Sequence, residues 1–312
     1  MTISLGYQIP KFTYPGGADA LFETVVAQTR EAEASGFDTV LVMDHFYQLP
    51  DLGAIDEPML EAYSILAALA ASSSTVQLAA LVSGNTYRNP ALLAKTVSTL
   101  DVISRGRAIL GIGAGWFQQE HDELGFAFDT FTERFQKLEE ALEIIAPMLR
   151  GERLTFDGKW YQVQNALNEP RYRDAVPIML GGSGERKTFR LAARFADHIN
   201  MICPRPVLPH KVQVLHQRCE EIGRDPGTLK SSFLATAIPV DSAAEGRRVH
   251  ESLSPFLQAE SFIGSPAEIA GQLGDDILGA GVDGLIINMP VNGHEPGLVA
   301  EMGKLLSPLV AQ

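Results

Sequence analysis

Ala108-Ile109-Leu110-Gly111-Ile112-Gly113-Ala114-Gly115-Trp116 is the stretch whose reading decides the fold. A short apolar run, the pattern of a strand buried on both faces, passes directly into glycines and an indole. The arrangement recurs at three other places. Met43-Asp44-His45 follows Thr39-Val40-Leu41-Val42, Ser83-Gly84-Asn85-Thr86 follows residues 76–82, and Gly181-Gly182-Ser183-Gly184 follows Pro177-Ile178-Met179-Leu180. In a parallel α/β protein the strand C-termini open on one face, so the four loops surround one pocket.

Between these runs the spacing is helical. Ala18, Leu21, Phe22, Val25, Val26 and Ala32 fall on one face of a helix that Gly36 ends. A second helix is expected over 59–71. Pro90 opens another on which Leu92, Val97 and Leu100 face inward, and Phe131, Phe135, Leu138, Leu142 and Ile145 mark a fourth. A β-hairpin over 154–163 is centred on Asp157-Gly158. Strands at 176–180, 198–202, 232–239 and 284–289 then alternate with helices at 185–195, 207–222, within 243–257, from Pro266 and over 298–306. With strands at 3–9, 37–42, 76–82 and 107–112, this predicts an α/β fold, a (β/α)8 TIM barrel. The expectation is one domain over 1–312, with a hairpin-containing insertion at 151–175 after the fourth βα unit. A doubly wound sheet would carry GxGxxG in its first βα turn, where Gln8-Ile9-Pro10-Lys11-Phe12 stands instead.

Composition narrows the partners. The chain has 312 residues, 46% hydrophobic and 20% charged, with a net charge of −13. That balance argues against nucleic acid and anionic membranes, which need a basic face. No apolar run approaches the roughly 20 residues of a membrane span. The N-terminus, Met1-Thr2-Ile3-Ser4-Leu5-Gly6, has no basic region before a long apolar stretch, so no signal peptide is evident. Cys203 and Cys219 stand without ligand-like neighbours, which points to a reduced, cytoplasmic protein. GxSxG, SxxK, HExxH, CxxC and P-loop patterns are missing, and His121, His198, His210, His216, His250 and His294 show no ligand spacing; no metal site is expected.

Chemistry concentrates in three loops. His45 carries the side chain suited to proton transfer near neutral pH, and Asp44 beside it is placed to fix the ring tautomer or support its charged form. The competing use is a structural pair capping the rim. Glycines 111, 113 and 115 allow backbone to approach a flat ligand, with Trp116 as an aromatic wall or simply a rim hydrophobe. Gly181-Gly182-Ser183-Gly184-Glu185-Arg186-Lys187 combines free backbone, a hydroxyl and a helix start, the elements of an anion site; an ordinary turn capped by Ser183 is the alternative.

Met43-Asp44-His45-Phe46, residues 82–90, Gly111 to Phe117, and residues 180–187 with Ala196-Asp197 and Asn200 resemble, in order and spacing, the bacterial luciferase-like flavin family. The likeness covers nearly the whole chain and is greatest to its deazaflavin (coenzyme F420)-dependent oxidoreductase branch. It implies a barrel with the deazaflavin ring in its C-terminal mouth, a homodimer, and hydride transfer between deazaflavin C5 and a small-molecule substrate. By position, Asp44 and His45 would lie beside the ring as catalytic residues. Ala80, Leu81, Val82, Ser83 and Gly84 would back its other face as a bulged strand with a non-prolyl cis peptide. Gly113, Ala114, Gly115, Trp116 and Gln119 would border the ring and ribityl chain, and Gly181, Gly182, Ser183 and Gly184 would receive the phosphate. Trp116, Gln8 and Phe46 would form the substrate pocket. In the branch's sugar-phosphate dehydrogenases a glutamate acts near the position of Trp116. An indole cannot transfer a proton, so His45 is left as the proton-transfer candidate, and an apolar substrate fits this wall better. An FMN-dependent monooxygenase and a non-catalytic flavin-binding protein of the same fold are the alternatives; FMN would call for a denser Arg/Ser/Thr cage.

Overall fold

The computed structural model describes residues 3–311. Met1 and Thr2, part of the N-terminal stretch read for a signal peptide, and Gln312 lie outside the described residues. The chain begins β1 (Leu5–Ile9), α1 (Gly17–Ala34), β2 (Thr39–Val42), α2 (Ala62–Ser72), β3 (Gln77–Ala80), a two-residue β4 (Ser83–Gly84), α3 (Pro90–Ser104) and β5 (Ala108–Gly113). Two helices follow, α4 (Gln118–Leu124) and α5 (Phe131–Leu149), then a hairpin of β6 (Leu154–Asp157) and β7 (Gln162–Ala166). Alternation resumes with β8 (Ile178–Gly181), α6 (Thr188–Phe195), β9 (His198–Met201), α7 (Leu208–Glu220) and β10 (Lys230–Pro239). The chain closes with α8 (Ala243–Ser252), α9 (Pro255–Glu260), β11 (Phe262–Gly264), α10 (Pro266–Gln272), β12 (Gly284–Asn288) and α11 (Leu298–Val310).

Eight of these strands form a closed parallel barrel in the order β1-β2-β3-β5-β8-β9-β10-β12, with β12 pairing back onto β1. Closure leaves no open edge, and the period-2 alternation splits each strand between two cores. Ile3, Leu41, Ala79, Ile109, Met179 and Ile286 fill the barrel interior. Leu5, Tyr7, Val40, Val42, Leu78, Leu110 and their neighbours pack outward under the helices. At the C-terminal end the interior turns polar: Gln8 and Asn288 are register partners, and the Asn288 amide donates to Gln8 Oε1 at 2.9 Å.

Local differences from the sequence reading have physical causes. Leu92 points to solvent at 62% exposed, and Leu93 is buried instead. Leu93, Val97 and Leu100 are spaced i, i+4, i+7 and share a face, whereas Leu92 lies about 100° away. The hairpin turn is the four residues 158–161, with Asp157 still paired to Gln162. Glu140 of α5 accepts the backbone N–H groups of Lys159, Trp160 and Tyr161, which pulls that turn onto the helix. The helix expected within 243–257 is two, because Pro255 opens a new one capped by Ser254. The helix expected from 185 starts at Thr188, after a turn. A cis Leu81–Val82 peptide interrupts the third barrel strand, and β4 resumes pairing with β5.

Candidate active site

The loops after β2, β3, β5, β8 and β9 enclose a cavity of about 470 Å³ at the barrel mouth. Its lining includes Asp44, His45, Leu81, Val82, Ser83, Gly84, Gly113, Ala114, Gly115, Trp116, Gly181, Gly182 and Asn200. A second cavity of about 350 Å³ adjoins it, lined by Gln8, Met43, Leu49, Phe233, Leu234, Thr236 and Asn288 among others. His45, Leu81, Trp116 and Ile202 line both. These four residues are common to both linings.

His45 is oriented from behind. Its Nδ1 lies 3.0 Å from Oε2 of Glu120, a fully buried residue on α4. Glu120 also accepts the Tyr87 hydroxyl at 2.5 Å and the backbone N–H groups of Phe46 and Tyr47. Burial works against ionising this carboxyl, but the bonds from His45, Tyr87 and Tyr47 outweigh it and hold Glu120 below the ordinary range. An ionised carboxylate only accepts, so Nδ1 carries a proton and Nε2 is the nitrogen left for a ligand. Burial first, then the bond to Glu120, pushes the Tyr87 phenol far up, which keeps it a donor. Trp116 and Phe117 stand edge-on to the imidazole, with centroids 5.6 and 5.8 Å away.

The carboxylate expected to orient His45 was Asp44, and the structure assigns that task to Glu120. Asp44 is turned to Arg88, whose Nη2 lies 2.7 Å from Oδ1 and also 2.7 Å from Glu61 Oε1. Burial raises the Asp44 carboxyl, with Arg88 pulling against it. The two neighbours part company, Asp44 to Arg88 and His45 to Glu120.

Other expected residues divide. Gln8 lines the second cavity. Phe46 does not; it stacks on Phe126 and stands edge-on to Tyr87 in an outer groove, because its backbone is tied to Glu120. Gln119 is exposed and bonded to Glu123, one helical step away from the buried Glu120. Ala80 faces the helix layer. Ser183 and Gly184 lie outside the cavity lining, and the Ser183 hydroxyl is engaged by the backbone of Ile202. Gly182 has φ +126, a conformation that L side chains rarely adopt, and its nearest neighbour is Thr188. A Cβ on Gly113 or Gly181 would come within 2.9 or 2.8 Å of the Val82 side chain, which would have to shift to admit it.

The sequence reading missed Glu120, Arg88 and Arg134. Arg134 of α5 lines the first cavity, is 9% exposed and has no partner for its Nε; Nη1 donates to the Asp129 carbonyl, and the guanidinium lies 3.9 Å over Phe128. Its signal was present in part, since Arg134 sits between Phe131 and Phe135 on one helix. Glu120 carried none, in a run of polar residues with no periodicity. His121 is structural: Phe117 O accepts from Nδ1, and Nε2 meets the Thr86 hydroxyl. Among the described residues no cluster of three or more His, Cys, Asp or Glu could hold a metal ion, and no helix is long and apolar enough to cross a membrane.

A sequence profile described as luciferase-like monooxygenase matches residues 3–283. The chain belongs to the luciferase-like monooxygenase family. An F420-dependent glucose-6-phosphate dehydrogenase of Kineococcus radiotolerans is 31% identical over 288 residues, 88% of this chain and 80% of that one. Another, of Microbacterium testaceum, is 38% identical over 168 residues, covering 53% and 48%. This luciferase-like chain spans about half the length of several such dehydrogenases that it matches. An F420-dependent secondary alcohol dehydrogenase, solved with an F420–acetone adduct, superposes with a TM-score of 0.83 over 99% of each chain at 18% identity, which shows the shared barrel.

Proposed function

We propose that this luciferase-like protein is an F420-dependent oxidoreductase in which the bound deazaflavin exchanges a hydride at C5 with a small organic substrate. The observation that carries this reading is the pair of adjoining cavities that share His45, Leu81, Trp116 and Ile202 in their lining. One chamber then holds cofactor and the other substrate, with an imidazole at their boundary. The dehydrogenase relatives support the cofactor.

The residues of the first cavity fit F420. Gly182 leaves bare backbone where a Cβ would project beside Thr188. The partnerless Nε of Arg134 is a buried donor of the kind an anionic group satisfies. Gly181, Gly182 and Arg134 would hold the phosphate side, while Leu81, Val82, Ser83, Gly84, Gly113, Ala114, Gly115 and Trp116 would border the ring. His45 Nε2 gives or takes the substrate proton, Glu120 keeps Nδ1 protonated, and Trp116 excludes water. Asp44 enters through Arg88, bracing the loop that carries His45. The FMN phosphomonoester, near two negative charges, would meet one arginine, a thin cage for it.

The same reading takes residues 1–312 as one barrel domain with the 151–175 insertion, supported by the single closed sheet. It also takes the chain as a homodimer in the cytoplasm, where two free cysteines are at home. The test is separate titration with F420 and FMN, read by cofactor fluorescence. F420 is expected to bind more tightly; tighter FMN binding, or FMN co-purifying at full occupancy, would overturn the cofactor assignment.

A further inference from the structure

The second cavity is built for an uncharged ligand. Among the described residues that line it, the charged groups are two carboxylates, Asp51 and Glu260; no lysine or arginine is present. Arg205, the guanidinium bonded near this rim, is already held by protein groups, Glu260 among them. Its Nη2 donates to the Ala259 carbonyl, Nη1 lies 3.6 Å from Asp276, Nε lies 4.0 Å from Glu260, and the group sits over Phe262. An anion entering the cavity would meet two like charges and, apart from the His45 imidazole at its wall, no cationic side chain, against a protein of net charge −13.

Two buried acceptor oxygens of the lining have no hydrogen-bond partner. Asn288 is 4% exposed, and its Oδ1 has no hydrogen-bond partner. The amide orientation follows from its neighbours. The Leu81 carbonyl can only accept, so Gln8 presents Nε2 to it at 3.5 Å and Oε1 to the Asn288 nitrogen. Asn288 Oδ1 is thereby left over in a residue that lines the cavity. Glu260 Oε2 is likewise buried without a hydrogen-bond partner. The remaining lining is mostly apolar, with Met43, Leu49, Leu52, Phe233, Leu234 and Leu257.

From this lining we infer that the second cavity selects an uncharged, largely apolar substrate that carries an N–H or O–H donor, and rejects anionic substrates, sugar phosphates included. This rests on reading that cavity as the substrate chamber of an oxidoreductase. It separates the chain from the glucose-6-phosphate dehydrogenases that it resembles in sequence.

The test is calorimetric, with matched probes at neutral pH: cyclohexanecarboxamide, cyclohexanecarboxylate and glucose-6-phosphate. The carboxamide is expected to bind at least about tenfold more tightly than the carboxylate, with no heat from glucose-6-phosphate. Asp51→Asn combined with Glu260→Gln should narrow that ratio toward one, and Asn288→Leu should weaken the carboxamide. Equal or tighter carboxylate binding, binding of glucose-6-phosphate, failure of either ring probe to bind at millimolar concentration, or a ratio unmoved by the double variant would each overturn the inference. The charge preference belongs to the second cavity and is read in protein with and without F420. Failure to take up F420 would therefore sink the cofactor reading while leaving this measurement standing.

Discussion

His45 and Glu120 stand 75 residues apart in the chain and meet at 3.0 Å, Nδ1 to Oε2. The contact joins the loop after β2 to the helix after β5 and gives the imidazole one orientation. A ring held this way presents the same nitrogen to a ligand at every encounter, which is what proton transfer at a fixed atom requires.

Loss of the imidazole should therefore be costly and local. His45→Ala and His45→Gln are each expected to lower kcat by about 10²–10⁴ while leaving F420 affinity within about tenfold. Glu120→Gln keeps the ring but loses its ionic anchor, and should lower kcat by less, with F420 affinity unchanged. Single-turnover oxidation of reduced F420 by an active acceptor, compared across pH, is the measurement. Near-native rates and an unchanged pH profile in His45→Gln would make His45 structural.

Glu120 should also leave a mark on stability. Its carboxyl is held below the ordinary 4.5. A group whose pKa falls on folding adds stability that is fully present above the unfolded value and is lost as pH drops through the folded one. The gap in Tm between wild type and Glu120→Gln is expected to be widest at neutral pH and to shrink below pH 4.5. Melts from neutral to acid check the sign; a gap that widened toward acid would contradict it.

Arg134 is expected to anchor the anionic side of the cofactor. Arg134→Met should weaken F420 by roughly 10- to 100-fold, the range for a buried charge-assisted hydrogen bond, and Arg134→Lys should recover part of it. Fluorescence titration of folded variants decides this. Unchanged affinity would reduce Arg134 to a structural tie between α5 and the Asp129 carbonyl.

Gly182 holds φ +126 at the cavity wall. Gly182→Val is expected to fold but bind F420 weakly, through backbone strain and added bulk together. Circular dichroism checks that the variant folds, and the same titration reads its affinity. Native affinity in a folded variant would remove this loop from the site.

Trp116 is 61% exposed and lines both cavities. Trp116→Phe should keep much of the activity and alter substrate preference, whereas Trp116→Ala should cost more by opening the wall to water. Steady-state kinetics with several acceptors tests this; wild-type behaviour in both variants would leave Trp116 a mere rim hydrophobe.

The barrel itself was legible in the chain. Apolar runs such as 39–42 and 108–112, each passing into glycine or a small polar residue, are local patterns. Strand periodicity and the shared direction of parallel strands then oblige their loops to gather at one rim. His45, Gly113, Trp116 and Gly182 could be placed at that mouth for this reason, and Val82 and Gln8 through the family resemblance. What faces what across the mouth is another matter. Glu120 behind His45, Arg88 drawn to Asp44, Phe46 turned outward and Arg134 at the cavity lining all depend on how side chains from separate elements meet. Those contacts are set by packing and by the need to satisfy buried charge, and neither quantity is written in the spacing of one segment. The sequence alone determined the scaffold and the rim on which its loops gather; the tertiary structure decided which carboxylate meets the imidazole and which charged side chains line the cavities.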